Sequence, residues 1–216
     1  MHVKSAAGAG GSEQAEARPR TLKADQAEAT RAALLEAATE LFAQRGYAGV
    51  ATEEIVRAAG VTRGALYHHF AGKLELFEAV YEQVEQGLVE RIASSAMSAA
   101  SDPLAALRAG AQAFLDACED PAVQRIALLD APSVLGWERW REIGLRYAFG
   151  LVQGTVAGAL EAGLIERPPV EPLAHLLLGA IDEGAMLIAR AHDDGRTRAQ
   201  VGDAVDRFLD MLRPRE

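Results

Sequence analysis

Apolar residues recur at helical spacing along most of the chain. Leu34, Ala38, Leu41 and Phe42, then Ile55 and Ala59, fall at i, i+3, i+4 and i+7, which lines one face of an α-helix. Alternating runs of Val, Ile, Thr and Tyr, the mark of half-buried strands, are missing. Gly and Pro punctuate the pattern. It predicts an all-α protein of about nine helices. The first runs from about Thr30 to Gly46, and two short ones flank Gly60. A long helix covers about 73–97, and Pro103, Pro121 and Pro132 open or separate the next segments. One helix over 137–162 ends at Gly163. Beyond Pro168-Pro169 come two more, over 171–191 and 197–212, parted by the polar turn His192-Asp193-Asp194-Gly195.

With 216 residues the chain can bury roughly 70% of its unfolded surface, so a core forms without staples. Cys118 stands alone, which excludes an internal disulfide and a Cys-based zinc site and fits a reducing compartment. The longest uncharged run, 147–160, has 14 residues, short of the ~18 that span a bilayer. The first 20 residues lack the apolar stretch of a secretory signal. A cytoplasmic protein without a membrane segment is expected. Residues 1–28 carry almost no large apolar side chain and are expected to be a disordered tail. Residues 29–75 and 76–214 are expected to form two domains.

Charge divides the same way. Residues 1–75 hold 9 Lys/Arg and 9 Asp/Glu, while 76–216 hold 13 and 22, so the net −9 lies wholly in the second part. Residues 55–74 contain Arg57, Arg63, Lys73 and two histidines, and no acid. That run coincides with a short helix, a glycine and a second short helix. Gly60 supplies the tight turn and Thr62 is placed to cap the next helix. Ile55, Ala59, Val61, Leu66 and Phe70 make one apolar seam, against which Leu41 and Phe42 pack. This is a helix-turn-helix pattern, able to hold its second helix outward for a major groove, although an ordinary helical hairpin shares it. At ~100° per residue, Gly64, Tyr67 and His68 face outward and Arg63 lies on a flank. Lys73 opens a helix whose free N–H groups favour a phosphate. Adjacent His68 and His69 diverge by ~100° and cannot chelate one ion, so no metal is expected.

The run Leu34-Leu35-Glu36-Ala37-Ala38-Thr39-Glu40-Leu41-Phe42, with Gly46-Tyr47, Thr52-Glu53-Glu54-Ile55, Ala59 through Phe70, Lys73 and Leu76-Phe77, resembles the DNA-binding domain of the TetR family of one-component repressors. The likeness covers about 30–80, and beyond it only the helical layout agrees. It implies a homodimer bound to double-stranded DNA at an inverted-repeat operator. It implies a small-molecule inducer in the C-terminal half, and pairing of subunits through 171–191 and 197–212. By position, Arg63, Gly64 and Tyr67 would face bases or nearby phosphates, and Thr52, Thr62, His68, His69 and Lys73 the backbone. Position 51, often Ser or Thr in the family, is Ala51, which leaves Thr52 or water to cap the second helix, at ~0.5–2 kcal/mol.

The C-terminal half gives less. Leu173, Leu177, Ile181, Gly184 and Ile188 line one side of a helix interrupted by His175, Asp182 and Glu183. A polar group amid apolar surface suits a small-molecule site, and equally a solvated or interfacial residue. Phe114, Trp137, Trp140, Tyr147, His175, Asp182 and Met186 are the candidate ligand contacts, with plain packing as the alternative for each. For the two tryptophans that packing would be with Arg139 and Arg141 on the body surface. Cys118 is read as a buried thiol, or as an oxidant sensor if exposed. No nucleophile–base motif, phosphate loop or metal spacing is present, so neither an enzyme nor a resident cofactor is expected. An all-α carrier or enzyme with a vestigial DNA-binding domain is the alternative.

Overall fold

Nine helices and no strand make up the described residues, 22–99, 101–166, 169–193 and 195–214, of a computed structural model. They are α1 (Leu22–Arg45), α2 (Thr52–Ala58), α3 (Arg63–His69), α4 (Lys73–Ala99) and α5 (Pro103–Ala117). Then come α6 (121–134), α7 (Trp137–Glu161), α8 (Val170–Arg190) and α9 (Arg196–Asp210). The expected helices are all present, with two differences of physical interest.

Helix α1 begins at Leu22 rather than near Thr30. Its first turns are almost wholly exposed, so they gain little from burial. Lys23, Ala24, Gln26, Ala27, Glu28 and Ala29 are good helix formers, and propensity extends a helix already nucleated by its packed end. The remainder of the expected tail, 1–21, lies outside the described residues, as do Pro168 and Asp194 of the expected breaks.

Pro132 does not separate two helices; it sits inside α6. A proline in a helix lacks the N–H that the carbonyl one turn back requires. The helix answers by widening: Gln124–Asp130 is π-helical, and the Ala131 N–H donates five residues back to the Ile126 carbonyl. The Ala127 carbonyl then has neither usual donor, since the Ala131 N–H is taken and Pro132 has none. The indole Nε1–H of Trp140 fills the gap, donating to it at 3.0 Å. Trp140 is thereby buried and fixed, not a surface residue.

Two large apolar cores and a small cluster of Cys118, Leu128 and Ala185 result. One joins α1–α3 to the first half of α4 and to α6, around Phe42, Ile55, Leu66, Phe77 and Ile126. The other joins α5, α7, α8 and α9 around Leu107, Leu115, Val156, Leu177 and Leu209. Phe114 packs against both. Helices α4 and α7 run parallel, in a register marked by Arg139–Glu78 and Arg146–Glu82 ion pairs. Helix α8 is long and apolar enough, by length and composition, to cross a membrane, although Asp182 and Glu183 interrupt it. Half of that stretch is buried inside the fold.

Trp140→Phe should cost about 1–3 kcal/mol by orphaning the Ala127 carbonyl. In the Pro132→Ala background the added N–H restores a donor, so the same change should cost measurably less. A urea-denaturation double-mutant cycle with no coupling would contradict this account of α6.

Candidate functional site

Helices α2 and α3 cross with Gly60 between them in the left-handed region, at φ +66°. Ile55, Leu66 and Phe70 are buried, and Leu41, Ala59 and Val61 pack against them. The Thr62 hydroxyl caps α3, accepting the Ala65 N–H at 3.2 Å. With the inner face so fixed, Thr62, Arg63, Gly64, Tyr67 and His68 are exposed together. Tyr67 is 47% exposed although its ring is large and apolar. Thr52, His69 and Lys73 are half-buried beside them. The flanking Arg63 is held by Glu53 at 3.2 Å, with its guanidinium 5.5 Å from the centre of the Tyr67 ring. An exposed pair of this kind contributes ~0–1 kcal/mol, so Arg63 exchanges Glu53 for another anion at small cost. The Lys73 ammonium lies 4.0 Å from the centre of the Tyr47 ring, and burial lowers its pKa.

The cap of α2 differs from expectation. Ala51 has no side chain to cap with, and the other half of a capping box remains: the Glu54 carboxylate accepts the Ala51 N–H at 2.9 Å. Arg45, at the end of α1, grips both oxygens of that carboxylate at 2.8 Å. These bonds, Arg45 first, hold Glu54 far below the usual carboxylate range, at about 2. The sequence offered this as Glu three residues after the cap position, the reciprocal half of a capping box.

Besides the shared apolar core, polar contacts tie this unit to α6. The turn after α1 has Gly46 at φ +71°, with the Arg125 guanidinium lying where a Cβ would be. The next backbone N–H, that of Tyr47, donates to the Asp130 carboxylate at 2.6 Å. Arg125 and Asp130 both belong to the π-helical segment of α6 and lie 3.7 Å apart.

The same segment walls a partly open cavity of about 100 Å³ between α4, α5, α6, α7 and α8. Val123, Ala127 and Leu128 face it from α6. Of the expected ligand contacts, Phe114, Trp140 and Asp182 line it. Trp137 does not: it is 61% exposed, with its ring 4.8 Å from that of Trp140. Tyr147 faces an outer groove between α1 and α4, and His175 is stacked on Phe149 at 4.5 Å. Met186 is buried in the first core. His175 and Asp182, seven residues apart, thus diverge.

Two charged residues of the cavity were not among the expected ligand contacts. Arg141, expected to pack on the body surface, turns inward and pairs with Asp182. Glu85 lines the cavity one turn after Tyr81. Its signal was present: 77, 81, 85, 88 and 92 share the inward face of α4, and only 85 is charged. Tyr81 donates its hydroxyl to the Trp140 carbonyl at 3.3 Å, and burial raises its pKa. Burial, opposed by the Tyr81 hydroxyl and assisted by Asp182, pushes Glu85 up to about 7. Burial likewise pushes Asp182 up to about 6 against the pull of Arg141. Cys118 is fully buried and its thiol is pushed up to about 12, as an inert core residue.

Comparisons with known proteins agree across both parts. A model of the tetR family of bacterial regulatory proteins matches residues 34–80, and one of the tetracyclin repressor-like C-terminal domain matches 104–212. The chain is 29% identical to the transposon Tn10 TetC protein of Escherichia coli, over 68% of this chain and 73% of that one. It is 40% identical to the transcriptional regulator AcrR of Shigella flexneri, over only 38% of this chain and 39% of that one. A crystal structure of a TetR-family transcriptional regulator from Pectobacterium atrosepticum superposes with a TM-score of 0.78 at 32% identity, covering 91% of this chain and 99% of the other.

The Glu85 shift has a definite sign. Its carboxyl titrates near 4.5 unfolded and about 7 folded, so the native state holds the extra proton between those values. Stability should fall as pH rises from about 4.5 through about 7, by on the order of 2 kcal/mol. Glu85→Gln should remove this fall, leaving only the separate contribution of Asp182, which ends near pH 6. Parallel urea-midpoint profiles for both proteins between pH 5 and 8 would contradict this.

Proposed function

The chain belongs to the TetR family of DNA-binding transcriptional regulators, and from that premise we propose that it is a repressor released by a small molecule. Two copies hold one inverted-repeat operator in the cytoplasm, and a molecule entering the cavity releases them. Residues 29–75 form the DNA-reading unit and 76–214 the unit that takes the effector and pairs the subunits. The observation that carries this reading is the shared π-helical segment. Its inner residues wall the cavity, and Asp130 holds the turn that leads into the helix-turn-helix.

On DNA, Tyr67 and Gly64 reach base edges, with Arg63 reading a base or a nearby phosphate after leaving Glu53. Thr52, Thr62, His68, His69 and Lys73 hold the backbone. Phosphate contacts set the register and base contacts the sequence. One seven-residue helix reads few bases, so a two-fold pair is required for specificity. Support for the pairing surface comes from α8. Leu176 and Leu187 are 66% and 50% exposed, and Gly179 and Ala180 lie exposed between them. Beside them α9 presents Ala204 and Arg207, with Met211 just beyond its end. These faces pack as a four-helix dimer interface.

The mechanism is a shift between two populations: the effector favours an arrangement in which the paired α3 helices no longer match successive half-sites. Selection from a random duplex library at about 0.15 M salt, the range where non-specific binding is suppressed, should enrich an inverted repeat. Enrichment of a single unpaired site, or none by a folded dimer, would contradict the reading. On the enriched sequence, Tyr67→Ala should cost about 1–3 kcal/mol and relax specificity. Lys73→Ala should weaken all sequences alike and lower the salt slope by about one.

A further inference from the structure

The cavity has a direction. On α4 it is lined from Tyr81 to Ala96, fifteen residues or roughly 22 Å along a helix. The parallel helix α7 lines it from Trp140 to Thr155. At one end are Tyr81, Glu85, Trp140, Arg141 and Asp182, and at the other Ile92, Ala96 and Val152. The charged groups can be taken helix by helix. Helix α4 contributes Glu85, α7 contributes Arg141 and α8 contributes Asp182, whereas α5 and α6 contribute no charged side chain to the lining. Arg141 and Asp182 are engaged with each other. Among the lining groups Glu85 is left as the carboxylate without a cationic partner, with the Tyr81 hydroxyl beside it.

Taking the cavity as the effector site, as proposed above, we infer that it selects an elongated apolar molecule bearing one cationic end. The ammonium sits against Glu85, and the hydrocarbon runs between α4 and α7 toward Ile92 and Ala96. Charge decides the sign. An anionic end would meet two carboxylates and would have to displace Asp182 from Arg141. A cation completes an ion pair that the protein leaves open, in a desolvated site where such a pair has strong preference over a neutral group. The rings of Trp140 and Tyr81 border the same end, and aromatic faces attract cations. A neutral ligand of equal length would gain the apolar contacts alone. The raised carboxyl of Glu85 adds a second signature: cation binding must remove its proton, so affinity climbs as pH passes about 7.

The test is calorimetric titration of the full dimeric chain with octyltrimethylammonium, octanoate and octanol, each below its micelle concentration, at pH 6 and pH 8. The expected result is one cation per chain, bound roughly tenfold or more tighter than octanol at pH 8, with the preference shrinking at pH 6. Glu85→Gln should abolish that preference and keep the octanol affinity, which also shows that the variant is folded. Tighter binding of octanoate, equal binding of all three, or a preference surviving in Glu85→Gln would overturn the inference while leaving the cavity an effector site. Absence of saturable binding by any of the three would overturn both.

Discussion

A missing hydrogen-bond donor organises this molecule. Pro132 has no N–H, and the helix around it widens into a π-turn. Three consequences meet there. The unpaired Ala127 carbonyl draws in the indole of Trp140, which fixes α7 against α6. The inner face of the widened turn becomes part of a cavity wall. Asp130, at its end, accepts the Tyr47 N–H and so holds the turn that leads from α1 into the DNA-reading unit. Wide helical turns of this kind recur at functional sites because they place groups that a regular helix cannot. Under the proposed function, this one segment touches both the cavity and the turn leading into the helix-turn-helix.

The chemistry of the two sites is opposed and spatially separated. The reading face is exposed, and its one acid contact, Arg63 to Glu53, is solvent-exposed and easily exchanged. The cavity is recessed, and its two carboxyls, Glu85 and Asp182, are shifted upward by desolvation. The acidic balance of residues 76–216 therefore includes two carboxylates facing inward, not only a solvated surface.

How much of this was legible in the sequence depends on the range of the interaction. Local signals served well. Gly60, the Thr62 cap and the spacing of Ile55, Leu66 and Phe70 each act within a few residues, and they place the exposed face of α3 correctly. The Glu54 half of the α2 cap was not anticipated, because its second partner, Arg45, lies nine residues away from Glu54. The cavity was half legible. Phe114, Trp140 and Asp182 could be singled out as candidates, but choosing them over Trp137, Tyr147, His175 and Met186 needs the rotation of α7 and α8 about their axes. That rotation is set by packing across more than forty residues of sequence, as in Arg141 with Asp182. The Asp130–Tyr47 contact spans 83 residues and has no local signature at all.

Beyond the apolar core that α1–α3 share with α4 and α6, the Asp130–Tyr47 contact is the polar link proposed to set where α3 points. Cys118 is buried, so an Ala58→Cys dimer takes a spin label only on exposed α2. Pulsed electron resonance then reads the distance between the two DNA-reading units directly. The account predicts a narrow distance distribution in this protein and a broadened or displaced one when Asp130→Ala is added, with helix content unchanged. The same narrow distribution in both would show that the reading heads are positioned by something other than the π-helical turn.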